Sequence, residues 1–309
     1  MPFSWLIEVA VFVVGLLLGS FLNVCISRLP EHRSVVRPRS QCPHCGRLIR
    51  WYDNIPLVSF VLLRGRCRVC SARISWRYPL VELLYALFLM HAVRLVMMGS
   101  LWFPAYGASP SAWICPAVCW SLSSFLLLGL AAMDWETHTL PDAFTLTGIA
   151  LGFLIVCMQA VFMPRGVGDI HFSPANQLRL SSPGSMQSQG DVFLTGPEAL
   201  VFGRLIAICG AALLLWLVGA AYRALRREQG MGLGDIKLLA MIAAFMGWWG
   251  AMLALFLALA TVFPYAAFLV ATRRATRRTA IPFGAFLCFG GLVTALAGAP
   301  VIAWYRSLL

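Results

Sequence analysis

Charge is scarce in this chain. Only 12 of its 309 residues are Asp or Glu, and among the 24 basic residues there is a single lysine, Lys237. Charged residues make up 12% of the chain, against about 25% in an ordinary soluble domain. With 60% hydrophobic residues and a mean hydropathy of +0.81, that deficit excludes a pair of soluble domains and points to a polytopic membrane protein. A glycine-rich βα nucleotide fingerprint is also missing, and there is no room for a soluble Rossmann domain. No internal repeat is visible. The first apolar run lacks a basic flank before it, carries Glu8, and meets its first positive charge only at Arg28. It therefore reads as a membrane span rather than a cleaved signal segment.

What is present is a series of apolar runs of the length that crosses a bilayer, about 20 residues each. Eight candidates lie near 5–27, 79–98, 112–133, 143–163, 198–222, 236–248, 249–271 and 282–305. The sixth and seventh join at Gly247-Trp248-Trp249-Gly250, an aromatic turn suited to a membrane interface. Arginine follows the first span at once, which places the N-terminus outside and residues 28–78 in the cytoplasm. Alternation from there makes the loops at 134–142, 223–235 and 272–281 cytoplasmic. Arg223, Arg226, Arg227, Arg273, Arg274, Arg277 and Arg278 fall in two of them. The outer side holds only Arg165, Arg179, Arg94 and Arg306. The net charge of +12 is thus mostly a topology signal: the basic surface faces a lipid bilayer, and no nucleic acid partner is expected. An outer loop near 164–197, with its run SSPGSMQSQGD, is too polar to bury a core and reads as flexible.

The polar insertion at 28–78 carries Cys42-Pro43-His44-Cys45 and Cys67-Arg68-Val69-Cys70. Two CxxC pairs at this separation have zinc-ribbon spacing. Each pair makes a knuckle whose thiolates occupy two corners of a tetrahedron, and metal would help fold a segment with so little core. Two disulfides or four free thiols are the alternatives, the former disfavoured in a reducing compartment. His44 reads as a neighbour rather than a ligand. Cys25, Cys115, Cys119, Cys157, Cys209 and Cys288 lie in or beside apolar runs and read as small packing residues.

Two carboxylates stand at the ends of apolar runs. Asp235 closes GMGLGD (Gly230 to Asp235), and Asp134 lies in MDWETHTLPD. Ionisable groups at membrane depth are costly and point to function by default. Gly230, Gly232 and Gly234 would let an extended peptide approach closely. Equally, such a stretch can be a plain loop with Asp235 capping the next helix. Asp142 reads as a helix N-cap and Glu136 and His138 as solvated. Lys237 is open to two readings, beside the aspartates or extended to lipid phosphates. Glu82 is expected to pair with an arginine such as Arg77, Glu8 to face water or headgroups, and Arg204 to extend to the outer interface.

In combination, these segments resemble the bacterial type IV prepilin leader peptidases. The residues that carry the resemblance are GSFLNVCISRLP at Gly19 to Pro30, CPHC, WYDNIPLVSFVLLRGRCRVC at Trp51 to Cys70, and ISWRYPLVELL at Ile74 to Leu84. MDWETHTLPD and GMGLGDIK match the two aspartate motifs of that family, and PFGAFL at Pro282 to Leu287 its last block. The long outer loop departs from the pattern, and Ala285 is a small substitution in a packing block.

The resemblance implies a GxGD-type intramembrane aspartic peptidase with a second activity. Asp134 and Asp235 would be the catalytic pair. The substrates would be type IV prepilins or type II secretion pseudopilins, cut after a glycine in the bacterial inner membrane with the active site facing the cytoplasm. The new N-terminal residue would be methylated with S-adenosyl-L-methionine, near the insertion and the first span, with Gly19 to Asn23 as candidates. Gly19-Ser20 is equally readable as a helix-packing face. The expected fold is an all-α polytopic membrane protein of about eight transmembrane helices with a small cytoplasmic zinc-ribbon-like insertion. Its parts are a first helix at 1–27, a CxxC/CxxC domain at 28–78 and a membrane-embedded aspartic peptidase domain at 79–309. Zinc would be structural, held by Cys42, Cys45, Cys67 and Cys70. Paired carboxylates also suit a proton-coupled transporter, although both stand at span ends rather than mid-span. A non-catalytic assembly scaffold is the remaining alternative.

Overall fold

A computed structural model describes residues 4–98, 110–161, 171–172, 178–179, 197–226, 232–272 and 281–307. Most of the outer loop near 164–197, Gly230 of the glycine motif, and the arginines at 227, 273, 274, 277 and 278 lie outside the described residues. The long helices are α1 (Ser4–Arg28), α3 (Arg77–Met98), α4 (Pro110–Thr137), α5 (Asp142–Val161), α6 (Pro197–Arg226), α7 (Leu233–Ala271) and α8 (Phe283–Ser307); α2 (Val58–Leu62) is a single turn inside the insertion. A two-residue antiparallel pair joins β1 (His171–Phe172) and β2 (Leu178–Arg179). Among the described residues, five helices are long and apolar enough to cross a membrane by length and composition, with Phe283–Gly298 a shorter apolar helix. The chain is an integral membrane protein. Leu6, Val9, Val13 and Leu17 on α1 and Phe256 and Phe263 on α7 are exposed, as lipid-facing side chains are.

The 39 residues of α7 would make a straight rod of roughly 58 Å, about twice the hydrocarbon thickness. They do not form one. Gly247 takes φ 76° and ψ −175°, a region essentially closed to residues with a Cβ. On one side of it, Ile242 lies against Gly291; on the other, the Ala254 backbone lies against Gly290. Two segments twelve residues apart meet adjacent positions of α8, so the halves of α7 run back alongside each other. They supply the sixth and seventh expected spans, and the described helices accommodate all eight. Arg204 of α6 is buried and donates from Nη1 to the Ala243 carbonyl at 3.3 Å, one turn before the break, where the helical ladder is interrupted. This corrects the expectation that Arg204 extends to the outer interface.

Helices α1 and α3 pack through small residues. A Cβ on Gly15 would come 2.6 Å from Ala86 Cα, and one on Gly19 2.7 Å from Glu82 Cα. Backbones that close give tight van der Waals packing where no hydrophobic force separates helix from lipid. Glu8 closes the other end of this pair on Arg94 at 2.8 Å. The core beneath the site is formed by Leu127, Leu130 and Met133 of α4, Leu238, Met241, Ile242 and Phe245 of α7, and Leu287 of α8, all fully buried.

Candidate active site and metal centre

Helix α4 stops just past Asp134. The Thr137 hydroxyl bonds back to Met133 O at 2.8 Å, and the His138 amide to Asp134 O at 3.0 Å. His138 itself is left-handed, φ 52°, the usual way a helix ends. The carboxylate of Asp134 is buried at the end of the helix bundle. Its Oδ2 accepts the Ala285 amide at 2.7 Å, and the Gly284 amide donates to it as well. Both belong to the first turn of α8, where N–H groups lack helical partners and the helix dipole favours negative charge. A Cβ on Gly284 would stand 3.0 Å from that same oxygen and 2.9 Å from Leu140 Cδ1. Only glycine leaves room for the carboxylate to reach the helix end.

Asp235 sits in the first turn of α7, with Gly232 as N-cap. Its carboxylate takes the Gly232 amide, the reach-back of a capping box. It also lies within electrostatic range of Asp134. Leu140 packs over both Gly234 and Gly284, so the two glycines hold the two helix starts against one side chain. The structure thus brings Asp134 and Asp235 together at one end of the bundle. Buried Cys288 lies within range of both charges. Beside the pair, Trp135, Tyr265 and Phe286 form a ring cluster with centroids 5.3 to 6.4 Å apart.

The remaining polar residues are arranged differently from expectation. Lys237 Nζ bonds Asp142 Oδ1 at 2.7 Å, so the lysine is committed to the start of α5. Arg77 pairs with Glu136 rather than with Glu82. Glu82 is buried and accepts the Leu57 amide at 2.9 Å and the Ser20 hydroxyl. Sequence reasoning missed Gly284 and Ala285 as the seat of Asp134. Their only signal was a Pro-Phe-Gly-Ala helix start with no acidic or hydroxyl cap of its own.

The insertion is built from two similar hairpins. In the first, the Cys42 amide bonds Arg47 O at 2.9 Å and Gly46 bonds Cys42 O at 2.9 Å; in the second, Cys67 bonds Ala72 O at 2.8 Å and Ser71 bonds Cys67 O at 3.0 Å. Isolated bridges Gln41–Leu48 and Arg66–Arg73 close them. Gly46 and Ser71, each following the second cysteine, are both left-handed, φ 69° and 55°. The four sulfurs of Cys42, Cys45, Cys67 and Cys70 all lie within 4.8 Å of one another. Cys42 Sγ and Cys70 Sγ are 3.8 Å apart, the edge of a tetrahedron with metal–sulfur bonds of about 2.3 Å. All four are free thiols, which removes the disulfide alternative from this structure. The amides of Cys70 and Val69 point at Cys67 and draw its thiol down to about 6. Cys70 receives the Ala72 amide, yet burial and its hydrogen bonds with Cys67, Cys45 and Cys42 push it up to about 11. Four sulfurs within 4.8 Å of one another, on two hairpins of the same form, could hold one metal ion. Arg68 clamps Asp53 at 2.6 Å and holds the second hairpin to the segment between the two.

Residues 13–96 match the bacterial peptidase A24 N-terminal domain, and residues 192–267 the type IV leader peptidase family. A prepilin leader peptidase/N-methyltransferase of Pseudomonas putida is 33% identical over 96% of this chain and 93% of its own length. The chain belongs to this family. A protein of the same name from Aeromonas hydrophila is 32% identical over 98% of the chain and 95% of its own length. One from Dickeya chrysanthemi is 33% identical over 80% and 76%. No solved structure matches.

Proposed function

We propose that this chain cleaves the leader of prepilins, pseudopilins among them, with Asp134 and Asp235 as the acid–base pair, and N-methylates the new N-terminus. One observation carries the peptidase reading. Two carboxylates from helices 101 residues apart in sequence converge at one bundle end, each set against the first turn of a helix. Two like charges this close favour a state that shares one proton. The charged member takes a proton from water, which attacks the scissile carbonyl carbon. The protonated member donates to the carbonyl oxygen, and a proton then passes to the departing amine. Fixed amides from Gly284, Ala285 and Gly232 orient both carboxylates without waiting for substrate.

The chain divides, on this reading, into a first helix at 1–27, a metal-binding domain at 28–78 and a peptidase domain at 79–309. Zinc is the metal that suits four thiolates in tetrahedral array. Cys42, Cys45, Cys67 and Cys70 would hold it, closing its coordination and leaving it a structural role. When bound, S-adenosyl-L-methionine would supply the methyl of its sulfonium to an uncharged amine, with the C–S bond breaking as the N–C bond forms, S-adenosylhomocysteine leaving and one proton released from the nitrogen. The arginines flanking the spans support a reading in which the protein lies in the bacterial inner membrane with both aspartates toward the cytoplasm.

The test is to incubate purified protein with a prepilin, with and without S-adenosyl-L-methionine, and to weigh the products. Loss of the leader in both cases, with 14 mass units (about one CH2, as methyl replaces hydrogen) gained only with the donor, is the expected result. An uncut prepilin would overturn the reading.

A further inference from the structure

The insertion is polar in composition, but one face of it is not. Helix α2 turns Val58, Val61 and Leu62 outward, Val61 and Leu62 being 72% and 74% exposed. Its inward side carries Ser59, 7% exposed, whose hydroxyl bonds the Ile55 carbonyl, together with half-buried Phe60 and Leu63. Ser59, Phe60 and Leu63 line a cavity between the cysteine domain and the ends of α1 and α3, and Val58, Val61 and Leu62 do not. Apolar groups outside and a hydroxyl inside reverse the pattern of a helix that meets water.

Trp76 widens this face. Its ring lies 4.9 Å from that of Phe60, and it is 76% exposed. The Leu80 amide bonds Trp76 O at 3.2 Å, so Trp76 stands at the head of α3. Trp76, Leu80, Leu83 and Leu87, all exposed, follow one another at helical spacing along one stripe. The lipid-facing surface of α3 thus runs without a break into α2.

The depth of α2 agrees. Gly19 of α1 packs on Glu82, and Asn23 Nδ2 donates to Tyr78 O at 2.9 Å, which sets exposed Phe21 level with exposed Leu80. The Leu57 amide donates to Glu82 at 2.9 Å. Helix α2 therefore starts within a side chain's reach of a level where α1 and α3 already present apolar groups outward. Charge agrees too. Residues 28–78 hold eleven arginines against two carboxylates. Arg64 and Arg66 follow α2 directly, are exposed, and take part in none of the ion pairs among the described residues.

We propose that α2 and Trp76 form a foot seated in the leaflet that borders the start of α3. Val58, Val61, Leu62 and Trp76 enter the apolar side of the headgroup layer, and Arg64 and Arg66 pair with anionic lipid phosphates. Tryptophan is enriched at that depth because its ring has an apolar body and a polar N–H. The cysteine domain rides on the bilayer, and lipid supplies apolar burial that so small a segment lacks. The seating is the same for either leaflet and independent of the peptidase chemistry.

Photocrosslinking of the full chain in lipid nanodiscs, without prepilin, tests the foot. Benzoylphenylalanine replaces Val61 or Leu62, with lipid-facing Leu17 of α1 and cavity-lining Leu48 as references. The discs are phosphatidylcholine with a minor share of phosphatidylglycerol. Lipid adducts at Val61 and Leu62 are expected near the yield at Leu17 and about tenfold above that at Leu48. Yields no higher than at Leu48 overturn the seating. Adducts to a second copy of the chain in place of lipid assign the face to self-association and overturn it as well. Adducts at Leu62 should carry phosphatidylglycerol about fivefold over its share of the disc, and Arg64→Gln with Arg66→Gln should return that ratio to the bulk share. No enrichment in the wild type, or enrichment that survives the double variant, overturns the arginine contacts.

Discussion

The Ala285 amide donates to the Asp134 carboxylate at 2.7 Å, across 151 positions of sequence. Asp134 therefore serves as the cap of α8, a helix that lacks an acidic residue in its own first turn. One carboxylate of the pair is fixed by backbone, and its position depends on the helix end staying bare.

Gly284→Ala should break this arrangement. The added methyl would stand 3.0 Å from Asp134 Oδ2 and 2.9 Å from Leu140 Cδ1, so the carboxylate and the leucine must both shift to admit it. A displaced carboxylate loses its orientation, and misplacement of about 1 Å can cost on the order of 100-fold in rate. Cleavage should fall by about that factor, while zinc content and S-adenosylhomocysteine binding stay as in the wild type. Full cleavage by this variant would mean that α8 does not seat the aspartate.

Lys237→Met bears on whether the lysine tunes the aspartates. Its Nζ is bonded to Asp142, and that pair is 33% and 59% exposed. Exposed pairs contribute about 0.2–1 kcal/mol, so stability should change little. The pH profile of cleavage should keep its midpoints. A shifted acid or basic limb would show that the lysine charge reaches the pair despite Asp142.

Replacing Cys42 and Cys45 by Ser should remove the metal, because half a tetrahedron binds weakly. Metal analysis should fall from one ion per chain to none, residues 28–78 should become sensitive to protease, and cleavage should drop only partly. In the wild type, acidification should release the metal. Protons compete for thiolates, so retention is complete where all four stay deprotonated and is lost as pH falls. The Cys67 thiol, drawn down to about 6 by the amides of Cys70 and Val69, should hold its thiolate to lower pH than Cys70, which is pushed up to about 11. A metal content that does not change between about pH 8 and pH 5 would argue against thiolate ligation.

The spans were legible because apolar runs of bilayer length have few other uses. The pause at Gly247-Trp248 even divided a 39-residue helix correctly into two. Cysteine spacing foresaw the cluster because a knuckle is a local hairpin. Partners across helices were not legible. Arg77 with Glu136, Lys237 with Asp142, and Arg204 with the Ala243 carbonyl depend on helix rotation and register, which a single apolar sequence does not encode. Gly284 was read as packing because its purpose is another residue's carboxylate, distant in sequence.

The most direct test is the mass of a prepilin after incubation with wild type, Asp134→Asn and Asp235→Asn. Asn preserves size and the contacts of Gly284, Ala285 and Gly232 to a carbonyl oxygen, but it cannot exchange a proton. Each variant should lose cleavage by about 1,000-fold or more, stay in the membrane with its metal, and still methylate a pre-cleaved peptide. Normal leader removal by either variant would contradict the aspartate mechanism.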